Sequence, residues 1–145
     1  MSGSISRKMT SSSAGSEADS PPAPRAVVAG HGSFPEGLVN AVNQISGCGD
    51  AFLAVSNAGL SGADIEERLR EISGGIKVFF TDLPGGSATI AVRRLMRTDP
   101  GLVLVTGANL ATLLEFVFQP DGDPRDAAKR SAEKGRAAII AFGGE

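Results

Sequence analysis

Short blocks of consecutive apolar residues recur along this chain, separated by longer stretches in which apolar side chains return every third or fourth position. The blocks at 25–30 (Arg-Ala-Val-Val-Ala-Gly), 76–81 (Ile-Lys-Val-Phe-Phe-Thr) and 101–105 (Gly-Leu-Val-Leu-Val) are short and rich in β-branched and aromatic residues, so they predict buried strands. Residues 50–55 alternate and predict another. Between them, 34–45 carries Phe34, Leu38, Ala41, Val42 and Ile45 at helical spacing and stops at Ser46-Gly47. Residues 62–72 place Ile65, Leu69 and Ile72 on one helical face, and 87–96 turn Ile90, Val92 and Leu95 inward. A helix at 110–118 follows Asn109, a natural cap, and 125–134 predicts a polar helix. The last apolar block, 136–142 (Arg-Ala-Ala-Ile-Ile-Ala-Phe), predicts a closing strand.

Strands alternating with helices of this size imply βαβ units, hence an α/β domain with a mostly parallel central sheet covered by helices on both faces. A closing strand of Ala-Ile-Ile-Ala-Phe at a sheet edge would be adhesive, which predicts pairing with a second subunit. Residues 1–24 are rich in Ser, Gly and Pro and poor in large apolar side chains. Such a segment buries too little surface to offset its ordering entropy, so it reads as a disordered leader, with the folded domain at 25–145.

Composition narrows the functions. Of 145 residues, 16 are acidic and 14 basic, with no dense Lys/Arg stripe. This argues against nucleic acid or an anionic membrane as the partner. The single cysteine, Cys48, has no partner for an internal disulfide, which fits a reducing cytoplasm. No apolar run approaches the roughly 20 residues of a membrane span, and residues 1–24 lack the apolar core of a signal peptide.

The chemistry gathers at the carboxyl ends of the predicted strands, where open α/β sheets bind ligands. His31, the only histidine, follows the first strand between two glycines. Asp82 follows the third strand and opens Asp-Leu-Pro-Gly-Gly-Ser, while Thr106-Gly-Ala-Asn109 follows the fourth. Asp82 is placed to accept from one ring nitrogen of His31, which would leave the other nitrogen as a nucleophile. Gly85 and Gly86, opening a helix at Ser87, would offer backbone N–H groups to an anion. The hydroxyls of Ser33, Thr81 and Ser87 and the amide of Asn109 add donors. A histidine, an orienting carboxylate and converging donors are the parts of a phosphohistidine site, needing no metal or organic cofactor. Each part alone has a plainer reading as a turn or cap residue; their coincidence at strand ends shifts the balance.

Other chemistries fit less well. Gly-Gly-Ser87-Ala-Thr lacks the final glycine of a nucleophile elbow, and the Asp–His order is wrong for that fold. One histidine and one isolated cysteine make a poor metal site. Neither Gly-x-Gly-x-x-Gly nor a Walker sequence is present.

These motifs resemble the EIIA domain of the mannose/N-acetylgalactosamine branch of the bacterial sugar phosphotransferase system. The resemblance runs over most of 25–142. It rests on His31-Gly-Ser33-Phe34 with Glu36-Gly37-Leu38, on Phe80-Thr81-Asp82-Leu83-Pro84-Gly85-Gly86-Ser87, and on Thr106-Gly107-Ala108-Asn109-Leu110 leading to Leu113-Leu114-Glu115. It implies strand order 2-1-3-4 and a C-terminal edge strand exchanged in a homodimer. It also implies that His31 accepts a phosphoryl group from the phosphocarrier protein HPr and passes it to an EIIB component on a separate chain. The EIIB protein would feed a membrane EIIC/EIID complex, with this chain associating only peripherally. Asp82 would orient His31, and Ser87 would sit in the phosphoryl-binding loop. The chain departs from the family pattern at Ala88, where proline is usual, and at Ala108, where valine is common; neither change removes a reacting group. Two other readings share these residues: the phosphocarrier subunit of a dihydroxyacetone kinase, which the Gly85-Gly86-Ser87 and Gly107-Ala108-Asn109 motifs fit less well, and a regulatory module read in its phosphorylated state. The plainest reading is a non-catalytic interaction domain with His31 as a turn residue.

Overall fold

A computed structural model describes residues 23–145. Residues 1–22, most of the expected leader, lie outside the described residues. In chain order the elements are β1 (Ala26–Gly30), α1 (Phe34–Ser46), a 3-10 turn (Gly49–Ala51), β2 (Phe52–Ser56), α2 (Gly62–Ser73), β3 (Val78–Thr81), α3 (Ser87–Met96), β4 (Val103–Val105), α4 (Leu110–Val117) and α5 (Pro124–Ala137). The strands form one four-stranded sheet in the order β2-β1-β3-β4, every pair parallel. This is the α/β architecture and strand order expected from the sequence.

Parallel neighbours need crossovers long enough for a helix, and the chain supplies one between each pair of successive strands. The pleat then divides the core in two. Ala26 and Val28 of β1 face one layer with Phe52, Phe80 and Phe116, whereas Val27 and Ala29 face the other with Phe79, Ile65, Leu69 and Val92. In the first layer the rings of Phe80 and Phe116 lie 5.2 Å apart, edge to face, and Phe52 stands 6.1 Å from Phe80. The helices start and stop where local chemistry directs. Pro35 lies in the first turn of α1, and Gly47 closes that helix in the left-handed region at φ 74°. Ser61 and Asp64 form a capping box on α2, and Asn109 and Thr112 form one on α4.

Three expectations are corrected. The closing strand at 136–142 is not formed within this chain. The helix-favouring residues Arg136 and Ala137 extend α5 instead, and residues 138–145 form no regular element. Ile139, Ile140 and Phe142 stand 76%, 63% and 89% exposed. A strand needs a neighbour to hydrogen-bond, and this segment has none among the described residues. Ile90 points outward, because α3 buries Ala88, Ala91, Val92 and Leu95, a face on which position 90 does not lie. Ile45, placed on the apolar face of α1, is also exposed. Among the described residues, no helix is long and apolar enough to cross a membrane.

The strand order sets the site. From β1 the chain crosses to β2 on one side and then returns to β3 on the other. The exits of β1 and β3 therefore diverge and leave a crevice, the switch point of a doubly wound sheet.

Candidate functional site

The site is built from the residues just past β1 and β3. Ala29 pairs with Thr81 in the sheet register, so Gly30-His31 and Asp82 leave the sheet side by side. After His31 the chain turns at once: Gly32 takes φ 53°, and the Phe34 N–H donates to the His31 carbonyl at 3.0 Å. The turn leads into α1 through Ser33, whose hydroxyl makes no capping bond and is exposed.

One carboxylate organises the imidazole. Asp82 Oδ2 accepts from the His31 backbone N–H at 2.8 Å and from the His31 Nδ1 at 2.7 Å. The other oxygen, Oδ1, accepts from the Leu83 N–H at 2.8 Å. An ionised carboxylate only accepts, so Nδ1 carries a proton, and in the neutral ring Nε2 is the nitrogen that keeps its lone pair. The Asp82 side chain is only 10% exposed, whereas the His31 side chain is 56% exposed. Burial by itself would raise the Asp82 carboxyl. The ring and backbone N–H groups of His31 and the N–H of Leu83 outweigh it and hold Asp82 below the ordinary carboxylate range.

Two glycines make room for this pair. A Cβ at Gly30 would stand 2.7 Å from both Cγ and Oδ2 of Asp82. A Cβ at Gly86 would stand 3.3 Å from His31 Cε1. Gly86 is the N-cap of α3, so the first turn of that helix begins against the imidazole. The opening N–H groups of a helix have no intrahelical partners and carry its positive dipole end, which favours an anion there. Gly85 has open space around its Cα. Gly30→Ala is expected to push the carboxylate off the ring, because β1 is buried along its length and has no room to shift. The expected cost is about 1–3 kcal/mol of stability, with loss of the Nδ1 hydrogen bond. Denaturant unfolding and the ring-proton NMR signals of His31 check both; an unchanged ring signal would contradict it.

The remaining sequence-derived candidates divide. Gly86 lies against the His31 ring, Gly85 and Ser87 flank Gly86 in the chain, and Ser33 follows His31 by two residues. Thr81 is wholly buried, with its hydroxyl 2.7 Å from that of Thr89. Thr89 also donates to the Leu83 carbonyl at 2.6 Å and lies 3.2 Å from the Thr106 hydroxyl. Thr81 thus belongs to a hydroxyl cluster under the Asp82–Ser87 loop. The Asn109 side chain is also engaged: it accepts from the Thr112 N–H at 2.9 Å and donates to the Gly135 carbonyl at 2.9 Å.

Sequence reasoning passed over Asn57. It follows β2, donates its backbone N–H to the Gly30 carbonyl at 2.9 Å, and donates Nδ2 to Ser87 Oγ at 2.8 Å. The polar pair Ser56-Asn57 ending an apolar block was the available signal, once β2 is known to lie beside β1.

Fold and site together define a doubly wound α/β domain that presents one carboxylate-oriented imidazole at its switch point. The chain belongs to the EIIA-man family, described as the PTS system fructose IIA component, which matches residues 25–133. It is therefore a phosphotransferase-system component with a role in phosphoryl transfer. The fold is similar to the mannose/sorbose-specific IIA subunit of the phosphotransferase system from Enterococcus faecalis, at TM-score 0.71 and 22% identity over 86% of this chain and 98% of that one. It is also similar to phosphotransferase component EIIA from Streptococcus agalactiae, at TM-score 0.72 and 22% identity over 81% and 96%. A third similar structure is the IIA protein associated with the fucose utilization operon of Streptococcus pneumoniae, at TM-score 0.67 and 19% identity over 82% and 93%. Sequence comparison with curated proteins finds no match.

Proposed function

We propose that His31 Nε2 accepts a phosphoryl group from phospho-HPr and hands it to an EIIB protein, for coupled uptake and phosphorylation of a sugar. The observation that carries this reading is the 2.7 Å contact between Asp82 and Nδ1, which leaves Nε2 as a free nucleophile on an exposed ring. In the step, the Nε2 lone pair forms a bond to phosphorus while the bond from phosphorus to the donor's nitrogen breaks and its electron pair leaves with the donor. The Nδ1 proton stays in place. The ring becomes a phosphoimidazolium, and the adjoining Asp82 carboxylate stabilises its positive charge. Hydroxyls of Ser33 and Ser87 and the N–H of Gly85 offer donors to the phosphoryl oxygens as charge redistributes, whereas the Gly86 N–H, expected from the sequence to join them, is spent on the Leu83 carbonyl at 3.1 Å. Thr81 and Asn109 serve as supports, holding the loop from below and capping α4. Onward transfer reverses the step, with the electron pair returning to Nε2.

The protein works in this reading as a cytoplasmic homodimer serving a membrane sugar-translocating complex. Beyond β4, whose outer edge has no strand neighbour among the described residues, lies a groove of about 780 Å³ lined by Leu102, Val103, Leu104, Lys129 and Arg136 among others. The exposed Ile139–Phe142 stretch of a second copy supplies an apolar strand for that edge. Phe142→Asp is expected to shift the protein from dimer toward monomer in light scattering. A wild type that is monomeric at all concentrations would refute the dimer.

The test of the central reading is incubation with phosphoenolpyruvate, enzyme I and HPr, followed by intact-mass analysis. A gain of one acid-labile phosphoryl group supports it, and loss of that group on adding EIIB completes the relay. A folded protein that gains nothing would overturn it.

A further inference from the structure

We infer that Asn57 is a positioning residue that turns Ser87 into a hydrogen-bond donor toward the phosphoryl group; the inference rests on the phosphocarrier reading above. A serine hydroxyl has one proton and two lone pairs, and it can turn either toward a partner. Phosphoryl oxygens only accept, so Ser87 helps them only when its proton faces them. Asn57 Nδ2 lies 2.8 Å from Ser87 Oγ and donates to it. That occupies a lone pair and leaves the Ser87 proton free for another acceptor. Donation into the hydroxyl also polarises it, which strengthens the bond it donates in turn.

Asn57 is itself well fixed for this. Its backbone N–H donates to the Gly30 carbonyl at 2.9 Å, and its own carbonyl accepts from the Leu60 N–H at 3.1 Å. Gly30 directly precedes His31, and Ser87 directly follows Gly86, which lies against the imidazole. Asn57 thus ties the exit of β2 to both sides of the site. Its amide is bonded to Ser87, not to His31, so it acts through Ser87.

The chemistry makes an unusual ordering of variants. Asn57→Asp is nearly isosteric, but a carboxylate accepts where the amide donated. It would draw the Ser87 proton to itself and place a negative charge beside an anion. Asn57→Ala merely frees the hydroxyl. Single-turnover transfer from phospho-HPr should therefore run wild type, then Asn57→Ala about tenfold slower, then Asn57→Asp slower still, with Ser87→Ala about a hundredfold below wild type. In a Ser87→Ala background Asn57→Ala should have no further effect, and the penalty of Asn57→Asp should shrink to that of its charge alone. A residue that only supports the loop would give the opposite order, since Asp fits the space and Ala does not. Circular dichroism and unfolding midpoints confirm that each variant folds. Asn57→Asp carries the ordering test through its comparison with Asn57→Gln if Asn57→Ala is unfolded: the longer amide keeps the donor and should transfer faster. Asn57→Asp transferring as fast as the neutral variant overturns the proposal, as does an Asn57→Ala effect that persists without Ser87. A wild type that takes up no phosphoryl group overturns the phosphocarrier reading itself, and the proposal with it.

Discussion

His31→Ala is expected to fold normally and to gain no phosphoryl mass from phospho-HPr. The loss is complete because the chain has no second histidine to replace it. The fold survives because the side chain is 56% exposed and belongs to neither core layer. What disappears is one hydrogen bond to Asp82; the backbone N–H groups of His31 and Leu83 still reach the carboxylate. Removing such a partly exposed bond should change stability by no more than about 1 kcal/mol. Intact mass and a denaturant melt on the same sample decide it. Phosphoryl uptake by a folded His31→Ala protein would place the acceptor elsewhere.

Asp82→Asn is expected to slow transfer by about a hundredfold or more while leaving the acceptor in place. Both carboxylate oxygens accept from N–H groups in the native protein. An amide cannot meet both demands. With its oxygen toward His31 its NH2 confronts the Leu83 N–H; turned over, its NH2 confronts the His31 backbone N–H and Nδ1. Either orientation puts donor against donor, and the second drives the ring proton from Nδ1 to Nε2, the wrong nitrogen for attack. Single-turnover kinetics measures the effect, and an unchanged rate would reduce Asp82 to a turn residue. A pH series adds a sign. The native environment lowers the Asp82 pKa from its ordinary 3.8. The carboxylate therefore contributes stability above the unfolded value, and that contribution fades as pH falls through the range beneath it. The stability gap between wild type and Asp82→Asn should be full near neutrality and close as the solution is acidified below the ordinary value.

Much of this arrangement was legible in the sequence because buried parallel strands read as unbroken apolar runs. Ala-Val-Val-Ala-Gly and Val-Phe-Phe-Thr placed β1 and β3, and hence the residues His31 and Asp82 that follow them. The Asn109 cap was equally local and was read from its own neighbourhood. What escaped depends on partners far along the chain. Asn57 acquires its role only when β2 lies beside β1 and its amide meets a serine thirty positions away. Thr81 looked like a site hydroxyl, but the pleat turns it inward to Thr89, a choice the residue type does not reveal. Asn109 spends its amide on Gly135, in a helix the cap motif does not mention. Residues 136–142 illustrate the same limit from the other side. Their apolar pattern suits a strand, yet a strand is a relation between two segments, and helix propensity claimed the first residues.

With Nδ1 held by Asp82, the ring offers a single outward nitrogen. In the proposed relay the incoming and outgoing proteins must therefore stand on the same ground, each leaving before the other arrives. Such a carrier obeys ping-pong kinetics, and its throughput is bounded by departures. An acceptor present in large excess without its phosphoryl supply becomes a competitor of the donor, and flux through the carrier then falls as its own customer becomes more abundant.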